Sequence, residues 1–375
     1  EKGGPLFSET LPSYILDKYK LISKNEALKE VHFPVSQSSL SKGQARLKFE
    51  ELFYIQIQLI LKNFQRKSKI KGYVFPLIGQ TFKSFFDLHL PFELTTAQKR
   101  VVKEIRRDLG SGRQMNRLLQ GDVGSGKTIV ALLSILIAID NGFQSCLVAP
   151  TEILAQQHFE SIQYLLKESV GVSIELLTGS INLKKRKIIH EKLNNGELHI
   201  LIGTHAVFED NVKFKNLGLA IIDEQHRFGV AQRSSLWVKN KIPPHILVMT
   251  ATPIPRTLAM SLYGDLDISI IDSLPPGRKP IKTLHRFDNK RLSVFAFLKE
   301  QIKKGRQVYI VYPLIKESEK LDYKDLMDGY ESISRSFPLP DYQISIVHGK
   351  MKSEDKSYEM ERFKKGKTQI MVATT

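Results

Sequence analysis

The sequence predicts an α/β protein made of two successive units of alternating strands and helices, preceded by a helical N-terminal segment. Three observations carry this. The first is Leu118-Leu119-Gln120-Gly121-Asp122-Val123-Gly124-Ser125-Gly126-Lys127-Thr128, where an apolar pair ends in a glycine-rich turn that opens the apolar run 129–139. The second is a series of short apolar runs at 117–120, 145–149, 174–178, 199–203, 218–222 and 245–249, alternating with helical patterns. Most are followed directly by polar, chemistry-bearing residues, as in parallel sheets that hold ligands at the carboxyl ends of their strands. The third is Leu274-Pro-Pro-Gly-Arg-Lys-Pro280, after which the alternation resumes. That stretch can continue neither a helix nor a central strand and reads as an interdomain hinge.

Taken in order, residues 1–41 are mixed, with Leu11-Pro-Ser-Tyr-Ile-Leu16 and a short helical patch at Lys24–Val31. A long helix is expected from about Lys42 to Phe64, because Phe49, Leu52, Phe53, Leu59 and Ile60 recur at three- and four-residue spacing. The basic stretch Arg66–Lys71 reads as a solvated linker ending at Gly72. The expected organisation is therefore a helical linker over 1–72, an α/β domain over 73–273 and a second α/β domain over 274–375. In the second, strands are expected at 281–285, 307–312, 343–347 and 369–373, and helices at 291–303 and 353–365. Four strands are few for such a domain, and the sequence stops at Met371-Val-Ala-Thr-Thr375. The second unit is therefore expected to be partial.

With 375 residues and 42% hydrophobic content the chain can bury substantial cores. Its net charge of +17 favours a polyanionic partner. The single cysteine, Cys146, sits in an apolar strand, which excludes an internal disulfide framework and a cysteine zinc cluster and fits a reducing compartment. The run 129–139 is too short to span a bilayer and is interrupted by Ser134. No membrane association is expected.

The stretch Gly121 to Thr128 is a P-loop pattern in its required strand–loop–helix setting. Gly121, Gly124 and Gly126, with Asp122, Val123 and Ser125 between them, let backbone N–H groups converge on phosphate oxygens, and the following helix N-terminus adds a positive dipole end. Lys127 is expected to reach the β- and γ-phosphates of ATP, and Thr128 to ligate Mg²⁺. About a hundred residues on, the apolar strand Leu219–Ile222 ends in Asp223-Glu224. Adjacent carboxylates at a strand end point in different directions, so Asp223 can hold the metal while Glu224 polarises the attacking water. The loop Thr250-Ala-Thr252-Pro-Ile-Pro-Arg256-Thr follows another apolar strand and is stiffened by its prolines, which suits relaying nucleotide state to a bound strand.

Other positions fit around these. Gln98 can donate to and accept from an adenine edge, and Phe92 can stack on the base. The helix beginning after Thr151 reads equally as a nucleic-acid phosphate site and as a plain N-cap. Thr204 has the same potential; His205 taken alone reads as a loop histidine. The cluster Lys184–Lys187 reads first as a solvated helix face.

The order of these motifs resembles that of superfamily 2 helicases. Asp223-Glu-Gln-His-Arg-Phe-Gly229 with Thr250–Leu258 narrows the resemblance to the RecG-like branch, as do Gly121–Thr128, Asp272–Pro280, Val31-His-Phe-Pro34 and Ala45–Leu52. The resemblance covers nearly the whole chain. It implies tandem RecA-like P-loop NTPase domains, the second one partial, with ATP and Mg²⁺ as cofactors. It also implies a monomeric, ATP-dependent double-stranded DNA translocase of the bacterial cytoplasm and nucleoid, acting on forks and four-way junctions in repair and recombination. Gln225 and His226 would then sense the γ-phosphate, and Thr151, Thr204, His205, Thr250, Thr252 and Arg256 would contact DNA or couple to it. The family's wedge fold is expected to precede residue 1, and its later motor motifs to follow Thr375. A transcription-coupled translocase of the same branch is the nearest alternative, although its acidic box usually reads Asp-Glu-Glu where Gln225 stands here. A nucleotide-gated binding module with little hydrolysis is the alternative from another class.

Overall fold

The computed structural model describes residues 7–167, 171–224, 242–252, 266–273, 281–312, 329–349 and 351–374, leaving aside the side chains of Lys62, 66–69, Asp288 and Ser353. The chain divides into two compact units, Glu1–Arg278 and Lys279–Thr375. The expected hinge at 274–280 lies outside the described residues.

The first unit opens with helices α1 (Ser13–Tyr19), α2 (Lys24–His32) and α3 (Gln37–Lys69). The α3 helix runs further in both directions than its apolar spacing predicts. The stretch expected to be a linker after Phe64 is helical up to Lys69, because lysine, arginine and serine are all tolerated in helices and no breaker stands before Gly72. The apolar face is also less buried than expected, with Leu52 and Ile60 both exposed. Instead, a polar clasp fixes the N-terminus. The fully buried Arg46 guanidinium pairs with Glu9, 37 residues away, and with Glu50 at 2.5 Å. Burial alone would raise the pKa of Glu9. The N–H groups of Leu11, Lys24 and Thr10, together with Arg46, outweigh burial and hold the carboxyl down at about 2.

Two short helical turns follow, α4 (Gln80–Ser84) and a π-helical turn (Phe85–His89), and then α5 (Thr96–Leu109). Asp140 caps α4 from a distant helix end, its carboxylate accepting from the N–H groups of Gly79, Thr81 and Phe82 at 2.9–3.0 Å. The sheet comprises β1 (Asn116–Gly121), β2 (Gln144–Val148), β3 (Ile174–Leu177), β4 (Ile200–Gly203), β5 (Leu217–Asp223), β6 (His245–Thr250) and β7 (Asp267–Ile271). Its order is β3-β4-β2-β5-β6-β1-β7, with every pairing parallel. The helices α6 (Lys127–Asp140), α7 (Glu152–Leu165) and α8 (Leu183–Asn195) connect the strands.

Side chains alternate between the two faces, as the two-residue period of a strand requires. Leu119, Leu147, Ile221 and Met249 join α5, α6 and α7 in one core, while Leu118, Cys146, Ile222 and Val248 join α8 in the other. Burial on both faces explains why the central strands read as continuous apolar runs. The seventh strand, β7, was not among those expected. Its run Asp267-Ile-Ser-Ile-Ile is broken by polar residues, and it lies at the sheet edge beside β1.

The second unit contains α9 (Arg291–Lys303), β8 (Val308–Tyr312), β9 (Ile344–Val347), α10 (Ser353–Lys364) and β10 (Ile370–Thr374). Its parallel sheet has the order β8-β10-β9. Val308, Ile333, Phe337, Ile370 and Val372 form its core. The strand expected at 281–285 is absent: residues 281–287 are exposed and take no regular structure. Pro280 before them has no N–H to donate, and a β-prone run without a ladder partner does not form a strand.

Candidate functional site

Strand register gathers the chemistry at one edge of the larger sheet. Gln120 of β1 lies opposite Thr250 of β6, and Met249 lies opposite Asp223 of β5. The P-loop, the acidic pair and the Thr250 loop therefore leave the sheet at the same level. Because β6 stands between β1 and β5, the phosphate loop and Asp223 are two strand spacings apart, about 10 Å.

The loop is built for close backbone approach. Gly124 and Gly126 have φ of 75° and 88°, in the left-handed region that favours glycine. A Cβ at Gly121 would come 2.5 Å from the Ser125 hydroxyl. Side chains of Thr95, Thr151 and Asn182 cap α5, α7 and α8, whereas α6 begins at Gly126 with no side-chain cap. A helix start with that composition suits a phosphate group. The Lys127 ammonium donates to the carbonyls of Gly121 and Asp122 at 2.7 and 3.1 Å, so it lies along the loop. Val123 is exposed, and its N–H is held by the Asp122 carboxylate.

Gln98 occupies a different position from the one its expected role suggests. It is 2% exposed. Its amide oxygen accepts from Thr95 N–H at 2.8 Å, completing a capping box, and its Nε2 donates to the Ser125 carbonyl at 2.8 Å. Both ends of the amide are engaged by the protein, so in this geometry it braces the P-loop from below. Phe92, 49% exposed, has a ring open to stacking.

Asp223 is 8% exposed at the end of β5, and Glu224 follows it with φ 50°. The left-handed turn sends the two carboxylates to different partners. Ala251 N–H donates to Glu224 Oε1 at 2.9 Å, and the Thr250 hydroxyl donates to Oε2 at 3.3 Å. The Thr252 hydroxyl lies 2.9 Å from that of Thr250. The Asp223 Oδ2 meets His158 Nε2 of α7 at 2.7 Å. Sequence reasoning overlooked His158, because a histidine in the second turn of an amphipathic helix carries no signal until the fold puts a carboxylate beside it.

A hard cation such as Mg²⁺ takes oxygen donors, and the Thr128 hydroxyl and Asp223 carboxylate are of that kind. Among the described residues, no group of three or more His, Cys, Asp or Glu side chains forms a metal site by itself. The donor set therefore fits a cation shared with nucleotide phosphates and water.

On the expected nucleic-acid side, Thr151 accepts from Leu154 N–H at 3.3 Å as an ordinary N-cap. Thr204 is 2% exposed, with its hydroxyl buried, whereas His205 beside it is exposed. Any direct contact from that loop falls to His205 rather than to the Thr204 hydroxyl. Gln225, His226 and Arg256 lie outside the described residues. Among the described residues no helix is long and apolar enough to cross a membrane.

Comparison with known proteins bears on the two α/β units. Residues 95–261 match the DEAD/DEAH box helicase family, and residues 290–375 match the helicase conserved C-terminal domain. The chain is 44% identical over 368 residues to the ATP-dependent DNA helicase RecG of Synechocystis sp., covering 98% of this chain and 44% of the relative. It is 46% identical over 378 residues to the Aquifex aeolicus protein of the same name, covering 98% of this chain and 47% of the relative. A solved structure of RecG bound to a three-way DNA junction superposes with a TM-score of 0.76 at 39% identity, covering 98% of this chain and 48% of that one. The chain thus spans about half the length of the relatives it matches. With tandem helicase domains, and with this similarity running through the N-terminal helices as well, the chain belongs to the RecG-type family of helicases.

Proposed function

We propose that the intact protein is an ATP-dependent double-stranded DNA translocase that remodels branched DNA, driving stalled forks and recombination intermediates through junction forms. The observation that carries this reading is the grip of the Thr250–Ala251 loop on Glu224, beside a P-loop at the same sheet edge. Such a grip makes the orientation of the hydrolytic carboxylate depend on a loop that can report on bound DNA. The relative solved on a three-way junction supports the choice of branched substrate.

In this reading Lys127 swings from the loop carbonyls to the β- and γ-phosphates, and the N–H groups at the start of α6 bind the same oxygens. Thr128 and Asp223 hold Mg²⁺, which when bound neutralises charge on the phosphate oxygens. Glu224 orients the attacking water and takes up its proton. Phe92 stacks on the base. Gln98 keeps the loop in shape, and would read adenine only by releasing Thr95 or Ser125. His205, Thr252 and Arg256 face or couple to DNA, with Thr151 and Thr204 supporting their loops, and Gln225 and His226 sense the γ-phosphate. The protein is expected to work as a monomer in the bacterial cytoplasm.

The test is the ATPase rate of the intact protein on forked and on linear duplex DNA of equal length. Faster turnover on the fork is expected, and equal stimulation would overturn junction specificity. Loss of DNA-stimulated turnover in Lys127→Ala is the accompanying expectation for the nucleotide site.

A further inference from the structure

We infer that His158 is a positioning residue for Asp223, and that through it α7 carries the state of the strand-end loops to the metal-holding carboxylate. The inference rests on the nucleotide-site reading above and deepens it. Three contacts of one helix support it. At its start, the Thr151 hydroxyl caps α7 directly after β2. One residue on, Glu152 Oε1 accepts from the Ser180 N–H at 3.2 Å, fastening the helix to the loop after β3. In the second turn, His158 Nε2 lies 2.7 Å from Asp223 Oδ2, with both side chains nearly buried. The helix therefore links the segment after β2 and the loop after β3 to the end of β5, where its contact falls on the carboxylate expected to hold the cation.

A carboxylate at a strand end can rotate about its side-chain torsions. A donor fixed on a packed helix removes that freedom and engages Oδ2 alone, so Oδ1 stays outside that contact. Groups that orient a metal-holding carboxylate in this way typically change metal affinity about 10- to 100-fold when removed. Ala155 and Ile162 are fully buried on either side of His158, so α7 moves as a unit with its histidine. A shift of the loops at its N-terminus is thereby passed to Asp223 without any direct contact between those loops and the acidic pair.

The test is the Mg²⁺ concentration needed for half-maximal binding of a fluorescent, non-hydrolysable ATP analogue to the intact protein. His158→Ala is expected to raise that midpoint about tenfold while leaving Mg²⁺-independent analogue binding and the melting temperature close to wild type. His158→Gln, whose amide N–H reaches about as far as Nε2, is expected to restore most of it. A midpoint in His158→Ala that is unchanged or lower overturns the inference. If His158→Ala fails to fold, the Gln variant and His158→Leu decide it, a Leu midpoint equal to that of Gln being the overturning result. Mg²⁺-dependent binding that survives Lys127→Ala would instead overturn the nucleotide-site reading itself.

Discussion

Glu224 is held by the N–H of Ala251 and the hydroxyl of Thr250, and each hold makes its own expectation. Glu224→Gln keeps the size and most of the hydrogen-bonding geometry but cannot take a proton. Hydrolysis should fall by two orders of magnitude or more, roughly the scale of general-base catalysis, while nucleotide affinity stays within a few-fold, as read by turnover and by direct binding. Thr250→Val keeps the shape of the side chain and removes the donor. It should lower turnover by about tenfold, the effect of one lost hydrogen bond, and leave binding of nucleotide intact. Gln98 calls for the opposite pattern. Gln98→Ala removes the brace on Ser125 and half of the α5 capping box, so nucleotide affinity should weaken and the melting temperature drop, by an amount equivalent to about 1–2 kcal/mol. The type of Gln98 was legible in the sequence, since an amide upstream of a P-loop suggests recognition. Its partner was not, because an amide that can meet adenine can equally meet a carbonyl, and only the fold brings Ser125 to it.

At the scale of elements, most strands were legible because the central ones are buried on both sides and so read as unbroken apolar runs. The exceptions have a common cause. Neither β7, with Asp267 and Ser269 inside it, nor the coil at 281–287 can be judged from its own residues; what decides is whether a neighbour offers a ladder. For β7 that neighbour is β1, and Arg117 of β1 reinforces the pairing by donating to Ser269 at 2.7 Å and to Asp108 of α5 at 2.6 Å. Long-range caps were equally hidden. Asp140 sits at the end of α6, where an acidic residue is unfavourable to the helix dipole. It is retained there because three N–H groups of the 79–82 segment converge on it. Asp140→Ala should detach that segment, costing about 2 kcal/mol and showing as faster amide exchange at Gly79, Thr81 and Phe82 before any global loss of stability.

For the whole molecule, the charge of +17 and the tandem architecture were both readable from composition and motif order, whereas the burial of His245, from which an acid sensitivity is expected, was not. His245 opens β6, fully buried, with Nδ1 accepting from Met115 N–H at 2.9 Å and Nε2 donating to the Tyr73 carbonyl at 2.9 Å. That pair of contacts requires the neutral ring. Burial lowers its pKa from 6.5 to about 4, although the Tyr73 carbonyl pulls the other way. Between those values the unfolded chain takes up the proton and the folded chain does not. The contribution is therefore complete above pH 6.5, falls as the pH drops, and is lost by about pH 4. It amounts to about 3 kcal/mol, with His199, lowered by burial, adding in the same direction. Urea unfolding at pH 7.5 and 5 should show the loss, and His245→Gln should flatten it; an unaltered slope would assign the acid sensitivity elsewhere.

The closeness of Gln98 to the P-loop also limits how this loop can drift. A Cβ at Gly126 would stand 2.2 Å from Gln98 Nε2 and would in addition have to adopt φ 88°. The two positions are thus physically coupled. An alanine at 126 would push the Gln98 amide off the Ser125 carbonyl, and the φ of 88° would remain strained even after that side chain had moved. A substitution at 126 is therefore felt on α5 as well as in the loop, and a library that randomises the loop alone leaves that coupling unsampled.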